Sequence, residues 1–492
     1  MKMKVLIKIF IVIFLFLINT CISSALTFER DENIYNNKDE ILGLSTEKII
    51  YFDVSCLRSF DKMDLFNDPD LYIKVRIDDE WFTSPVFYNK KYVYDCLKIK
   101  KIINSEQNLV NIKIQLWEKG SFIDRICDIS EEKNDKNTGY DVDIIYDYRT
   151  GRWSGDDCFG DTSGYGRLNG CDDGSIYENE RDCELFFNIY QKNPDGDSIP
   201  SWVELNVYGT NPLIDNSGED LDFDGIPIEW EHRWGFNPYI YDDFKSMDPD
   251  CDSIDTYEEY LVRDYGSDPF RADILLEMDF METGPNGEYN IIDIEPFELM
   301  KVPNHKRNYV YHIDIGEKYG GDIIPFDEHL EKDEVYNLYD EYFIKDESDL
   351  WRRSVFHYSL NVYEVDYGGF EFNGDFNSEN WNPPGTNSFV ISTSCTDALL
   401  KTFLYLKSRD YIIASSIMHE MGHSFGLRWG DPFGVDCVGG MKPWTLKFWI
   451  IRPYKSIMNY QYTYKILDYS NGDNGRRDND DWEQIDLSFF EI

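Results

Sequence analysis

The chain of 492 residues carries 93 acidic against 48 basic side chains, a formal net charge of −45, and is 42% hydrophobic and 16% aromatic. So negative a molecule repels nucleic acid and anionic membranes, which argues against a nucleic-acid partner. The apolar and aromatic share excludes disorder as an overall description, and the length suggests three or four domains.

Residues 1–25 read as a secretory signal peptide: Lys2 and Lys4 form a basic start, Val5 to Ile18 is an apolar run broken only by Lys8, and Ser23-Ser24-Ala25 supplies small residues for cleavage. The expected location is therefore secreted or cell surface, with an uncleaved N-terminal anchor as the alternative. Of ten cysteines, Cys21 falls in this segment. Among the other nine, Cys158, Cys171 and Cys183 are close enough to supply a disulfide, and an odd thiol remains.

Residues 49–150 alternate with period two, as in Leu71-Tyr72-Ile73-Lys74-Val75-Arg76-Ile77 and Val110 to Trp117, which predicts an antiparallel β-sandwich. The turn from Asp68-Pro69-Asp70 into Leu71-Tyr72-Ile73-Lys74-Val75, with Asp61, Asp64, Asp124 and Asp128, resembles the calcium- and phospholipid-binding sandwich module of peripheral membrane proteins. That resemblance implies a membrane contact through the sandwich, the anchor being the other route. Residues 151–192, rich in Asp and Gly, read as a linker or an ion-ordered loop.

Residues 193–270 contain a repeat. Asn193, Asp195 and Asp197 lead to Glu204; Asp220, Asp222 and Asp224 to Glu231; Asp248, Asp250 and Asp252 to Glu259. Oxygen ligands at positions 1, 3, 5 and 12 are those of an EF-hand-type Ca2+ loop. The loops start 27 and 28 residues apart, and an aromatic-Gly-x-(Asn/Asp)-Pro turn follows each. Only the second keeps the loop glycine, Gly225; Ser198 and Ser253 replace it in the others. The segment resembles thrombospondin type 3 and related bacterial and archaeal calcium repeats, which implies that Ca2+ holds folded a segment with little core of its own.

From residue 272 strand patterns alternate with helical ones near 291–302 and 328–352, predicting an α/β (α+β) domain over 272–492 that ends in a helix from Trp482 to Phe490. Within it lies His419-Glu420-Met421-Gly422-His423, followed by Ser424-Phe425-Gly426. Residues four apart share a helix face, so His419 and His423 can point at one Zn2+. Glu420, about 100° round the helix, misses the metal and can deprotonate a water. Ile413, Ile417 and Met421 form the buried stripe, and Gly426 can turn the chain back through a left-handed conformation.

Met458, thirty-five residues after His423, lies in Ser456-Ile457-Met458-Asn459-Tyr460. H-E-x-x-H-x-x-G followed by S-x-M-x-Y strongly resembles the metzincin superfamily of zinc endopeptidases. The opening strand Asp273-Ile274 to Glu277 and Asp279 is similar to secreted archaeal and bacterial members. The resemblance implies that Met458 floors the metal site and that Tyr460 reaches the metal or the reacting carbonyl. It also puts a third ligand at position 429, where this chain has Trp429, which cannot ligate. Asp431, Asp436 and Cys437 are competent replacements, Asp431 preferred for proximity; His312 and His357 read as core residues in reserve.

These observations predict a secreted zinc endopeptidase acting on protein or peptide, with Glu420 as general base and calcium as structural ion. The alternative is a catalytically inactive calcium-binding surface or scaffold protein with a degenerate metzincin domain.

Overall fold

The computed structural model describes residues 48–64, 67–131, 140–156, 166–176, 180–191, 194–316, 318–345, 347–365, 368–372, 387–401, 407–428 and 433–489. The expected signal peptide, Cys158, Asn193, Trp429 and Asp431 lie outside them. Among the described residues no helix is long and apolar enough to cross a membrane.

Period-two burial builds the N-terminal part of this multidomain chain. One antiparallel sheet orders β4 (Tyr92–Ile103), β1 (Lys48–Ser59), β10 (Cys183–Gln191) and β9 (Gly166–Asn169). The other orders β3 (Glu80–Thr83), β2 (Leu71–Ile77), β5 (Leu109–Glu118), β7 (Val142–Asp147) and β8 (Arg152–Gly155), with β6 (Arg125–Cys127) on β5. Along β5, Val110, Ile112, Ile114 and Leu116 are buried while the side chains between them are more exposed. They meet Phe52, Val54 and Phe187 of the first sheet in one core.

The segment 151–192, expected as a linker or an ion-ordered loop, instead carries β8, β9 and β10 of the sandwich. Cys183-Glu184-Leu185-Phe186-Phe187-Asn188-Ile189 is an alternating strand, and β10 lies between β1 and β9, so the sandwich cannot close without it. Cys171 and Cys183 are both free thiols, so neither makes the expected disulfide.

The loop segment follows, with short helices α1 (Ser201–Val203), α2 (Ile228–Trp234) and α3 (Thr256–Leu261). It has more core than the sequence implied: Ile226, Trp230, Trp234 and Phe244 are buried together, with Phe236 stacked on Trp230 at 5.9 Å.

The third sheet orders β12 (Val310–Asp314), β11 (Asp273–Met281), β14 (Phe356–Val362), β16 (Ser388–Ser392) and β15 (Gly369–Glu371), with β13 (Ile323–Ile324) also on β11. All pairs are parallel except β15, the antiparallel edge strand. Every residue of β11 is buried, as a central parallel strand requires. Its acids are paired: Glu277 with buried Arg352, and Asp279 with the Tyr358 hydroxyl at 2.7 Å. Helix α4 (Glu295–His305) follows β11, α5 (Lys332–Leu338) follows β13, and α6 (Thr393–Leu400) leads to α7 (Arg409–Ser424). Ile413, Ile417 and Met421 of α7 pack on Leu276, Met278 and Phe389 of the sheet. The helix expected over 482–490 is a run of turns through 489: Asp481 turns inward to the Tyr454 hydroxyl at 2.8 Å and Asp486 accepts the N–H of Ser488.

A buried ion cluster joins the sandwich to this domain. Arg58 of β1 reaches Glu184 of β10 at 2.8 Å and Glu298 of α4 at 2.5 Å. Arg167 adds a second contact to Glu184 at 3.1 Å. His305 Nδ1 lies 2.9 Å from Glu184, while its Nε2 accepts the N–H of Tyr311 at 3.0 Å, which fixes a neutral ring with the proton on Nδ1. Burial accordingly pulls His305 down to about 4. Removing the shared cation leaves two buried carboxylates undercompensated, a loss of roughly 3–5 kcal/mol. Arg58→Met is expected to lower unfolding free energy by that order in denaturant titrations, partly restored by adding Glu298→Gln; an unchanged midpoint would show the cluster to be energetically idle.

Candidate metal centres

Helix α7 starts at Ser408, whose hydroxyl accepts the N–H of Tyr411 at 3.2 Å. It stops where Gly426 takes φ +91° and Leu427 donates its N–H back to the Gly422 carbonyl at 2.9 Å, a Schellman closure. This turn presents the Leu427 carbonyl to His423 Nδ1 at 2.6 Å. The Ile457 carbonyl, in the turn around Met458, meets His419 Nδ1 at 3.0 Å. A carbonyl can only accept, so both Nδ1 atoms carry the proton and both Nε2 atoms can offer a lone pair.

Those Nε2 atoms converge on one carboxylate. Asp436 Oδ1 is 3.0 Å from His419 Nε2, and Oδ2 is 3.2 Å from His423 Nε2. Ligand atoms of the three residues lie within 4.8 Å of one another. A tetrahedral ion with bonds of about 2.0–2.1 Å holds its ligand atoms at comparable spacing, so the donor set and its dimensions fit a transition metal with a fourth position left over. Asp436 holds a left-handed backbone, φ +52°, and donates its N–H to the Met458 carbonyl at 3.1 Å. The same turn thus orients a histidine and its carboxylate neighbour.

Met458 packs against the helix at Gly422. A Cβ on Gly422 would come within 2.4 Å of its sulfur, so the helix approaches this turn only because position 422 is glycine. Ser456 Oγ accepts the Met458 N–H at 3.0 Å, and Asn459 Nδ2 donates to the Ile451 and Tyr454 carbonyls at 3.1 and 2.7 Å. The Tyr460 ring stacks on His419 with centroids 5.6 Å apart, and burial, with the nearby charges of Asp436 and Glu420, raises the pKa of its hydroxyl.

Of the ligand candidates, the structure brings Asp436 to the histidines. Cys437 is next in sequence but buried against Gly440, where a Cβ would come within 2.9 Å of its sulfur, and it is not in the cluster. Asp431 lies outside the described residues. His312 instead pairs with Asp273 at 2.8 Å, and His357 packs edge-on against Phe425 at 5.2 Å.

Burial alone would lower His423, but the Asp436 carboxylate, with Glu420 and Glu371, holds it up at about 10, while Asp436 falls far below the ordinary carboxylate range. A proton held on His423 thus satisfies Asp436 without metal, and a metal must displace it. Glu420 is half-buried, and burial raises its carboxyl against the lowering pull of His419 and His423. Beside it runs edge strand β15: a Cβ on Gly369 would stand 3.5 Å from Glu420 Oε1. Neither Gly369 nor Gly422 was singled out in the sequence. A glycine inside the helical H-E-x-x-H pattern was the available signal for the second.

The loops form a second set of centres. Asp195, Asp197 and Glu204 cluster, as do Asp220, Asp222 and Asp224, and Asp248, Asp250 and Asp252. The first aspartate binds the loop backbone: Asp220 accepts N–H groups from Phe223 and Gly225 at 2.7 and 3.0 Å, Asp248 those of Cys251 and Ser253 at 2.7 and 3.1 Å. Ser198 and Ser253 take φ +71° and +79°, matching +100° at Gly225, so all three loops share the turn despite the missing glycines.

Positions three and twelve are different. Both carboxylate oxygens of Asp195, Glu231 and Glu259, and one each of Asp222, Asp250 and Glu204, are buried without a hydrogen-bond partner. Glu204, Glu231 and Glu259 are at most 1% exposed. Orphaned, converging carboxylate oxygens in an all-oxygen donor set fit a hard divalent cation.

No protein-family model matches the chain, and no curated protein matches it. Among solved structures it is similar to a C2 domain at 11% identity, covering 29% of this chain and 97% of that one with a TM-score of 0.18. It is also similar to the first C2 domain of a plant extended synaptotagmin at 8% identity, covering 30% and 95%, TM-score 0.19. A human cytosolic phospholipase matches at 14% identity over 30% of this chain and 17% of that one, TM-score 0.19.

In the loops, burial and neighbouring aspartates push Glu204 up to about 8 and Glu231 to about 9. A raised carboxyl stabilises the fold while protonated, fully below its unfolded pKa, and that stability is lost as pH rises through the folded value. In chelator the melting temperature is therefore expected to fall from pH 7 to pH 9, and saturating Ca2+ to abolish the fall; a chelator profile flat or rising over this window would contradict it.

Proposed function

We propose that the chain is a zinc-dependent endopeptidase of metzincin type, exported to the cell surface or medium and stabilised by calcium in its three loops. The observation that carries this reading is the pair of imidazoles, each with Nδ1 committed to a carbonyl, whose Nε2 atoms meet at Asp436. His419, His423 and Asp436 would hold the zinc, Asp436 taking the place given to Asp431 by proximity. Bound zinc supplies a Lewis acid for a scissile carbonyl and lowers the pKa of water toward about 7.

The remaining steps belong to side chains. Glu420, its basicity raised by burial, takes the proton of the attacking water and returns it to the leaving amine. The Tyr460 hydroxyl, kept protonated by burial beside Asp436, donates to the oxygen that gains charge. β15, the antiparallel edge of its sheet, offers backbone N–H and C=O groups to an extended peptide beside Glu420. The basic-then-apolar N-terminus supports export, and the net charge of −45 argues against nucleic acid as partner. Trp429 at the third-ligand position favours the scaffold alternative, and Asp436 beside both imidazoles favours the active enzyme.

Hydrolysis of an unfolded protein substrate, measured with zinc content, tests the proposal. Glu420→Gln is expected to keep about one zinc per chain and to lose activity by roughly a hundredfold or more. Asp436→Asn is expected to lose both zinc and activity, and Asp431→Asn neither. Full activity in Glu420→Gln, or zinc lost from Asp431→Asn but not from Asp436→Asn, would defeat it.

A further inference from the structure

One acidic cluster stands outside both the histidine site and the loops. Asp128 follows β6 and Asp182 precedes β10; their backbones pair, with the Asp128 N–H donating to the Arg181 carbonyl at 3.2 Å and the Cys183 N–H to the Asp128 carbonyl at 2.9 Å. Glu180 joins them, and oxygens of the three carboxylates lie within 4.8 Å of one another. Asp128 and Asp182 are both 0% exposed.

The hydrogen bonds leave this charge unanswered. Asp128 Oδ1 accepts the N–H of Ser130 at 3.0 Å, and Asp182 Oδ2 faces the Cys171 thiol at 3.5 Å. The other oxygens, Asp128 Oδ2 and Asp182 Oδ1, are buried without a partner, and so is Glu180 Oε2. Asp173 Oδ2 and Ser175 Oγ, in the adjoining turn, are orphaned in the same way. Lys306 contributes a favourable charge to Asp182, but its amine is turned to Asp61 at 3.5 Å. Four buried carboxylate oxygens without partners, three of them on converging side chains, need either protons or a cation.

We propose that Asp128, Glu180 and Asp182 bind a calcium ion, at a site separate from the loop repeats. Burial keeps the Cys171 thiol protonated, so the donor set is oxygen alone, which selects a hard cation over zinc. Burial raises both buried carboxyls, with Asp182 repelling Asp128 and Asp61 repelling Asp182, and the geometry of the described residues places no cation of the chain among them.

The site has a mechanical consequence. The segment it fastens leads back to Arg167, Asn169 and Asp172, which touch the turn after α4: Asn169 Nδ2 donates to the His305 carbonyl at 2.9 Å, and Asn308 bonds both Arg167 and Asp172. A cation there stiffens the sandwich side of the contact with the α/β domain.

The experiment is a count of bound Ca2+ on the purified protein by equilibrium dialysis, wild type against Asp128→Asn/Asp182→Asn. The double variant is expected to bind one equivalent fewer, whatever number the loops take, and to melt in EDTA no lower than wild type, because neutral amides remove the repulsion. An equal count with equal affinities overturns the proposal. Should the double variant misfold by circular dichroism, Glu180→Gln decides: an about tenfold weaker affinity for one Ca2+ equivalent supports the site, and an unchanged isotherm overturns it.

Discussion

Buried negative charge is the constraint under which this molecule is assembled. A carboxylate removed from water needs a cation or a full set of donors, and the chain answers in two ways. Where it can reach an arginine it does: Glu184 and Glu298 share Arg58, and Glu277 takes Arg352. Elsewhere the oxygens converge with nothing opposite them, at Glu231, at Glu259 and at Asp128 with Asp182. The first arrangement fastens sandwich to sheet. The second leaves clustered carboxylates of the kind that could hold metal ions.

The loops also connect to the third sheet. The second oxygen of Asp197 accepts the Asn216 N–H at 3.3 Å, that of Asp224 the Asp242 N–H at 3.3 Å, and that of Asp252 the Asp273 N–H at 2.6 Å. Each repeat thus grips the start of the next, and the last grips the first residue of β11. Asp273 in turn holds His312 of β12 at 2.8 Å. The third loop therefore bears on β11, a fully buried inner strand of the sheet that supports α7.

How far these features could be read in advance differed by their range along the chain. Helix α7, its buried stripe and the left-handed Gly426 followed from residues within four positions of one another, and the three loops from a fixed period. The aromatic core of the loop segment escaped notice because Trp230, Phe236, Phe244 and Phe270 share no simple period. β10 was masked by the glycines and acids preceding it, although Leu185, Phe187 and Ile189 alternate clearly. The choice among Asp431, Asp436 and Cys437 turned on the path of a loop. Proximity favoured Asp431, but the contact that places Asp436 is a backbone hydrogen bond to Met458, 22 residues away. No local pattern encodes a bond of that span.

The central claim is that two helix-borne imidazoles and Asp436 form one metal site. Anomalous diffraction at the zinc edge, on crystals of protein purified in Zn2+ and Ca2+, tests it most directly. The account predicts one zinc peak bonded to Nε2 of His419, Nε2 of His423 and a carboxylate oxygen of Asp436, above Met458. A zinc held through Asp431 or Cys437 instead, or no peak between the two histidines, would contradict it.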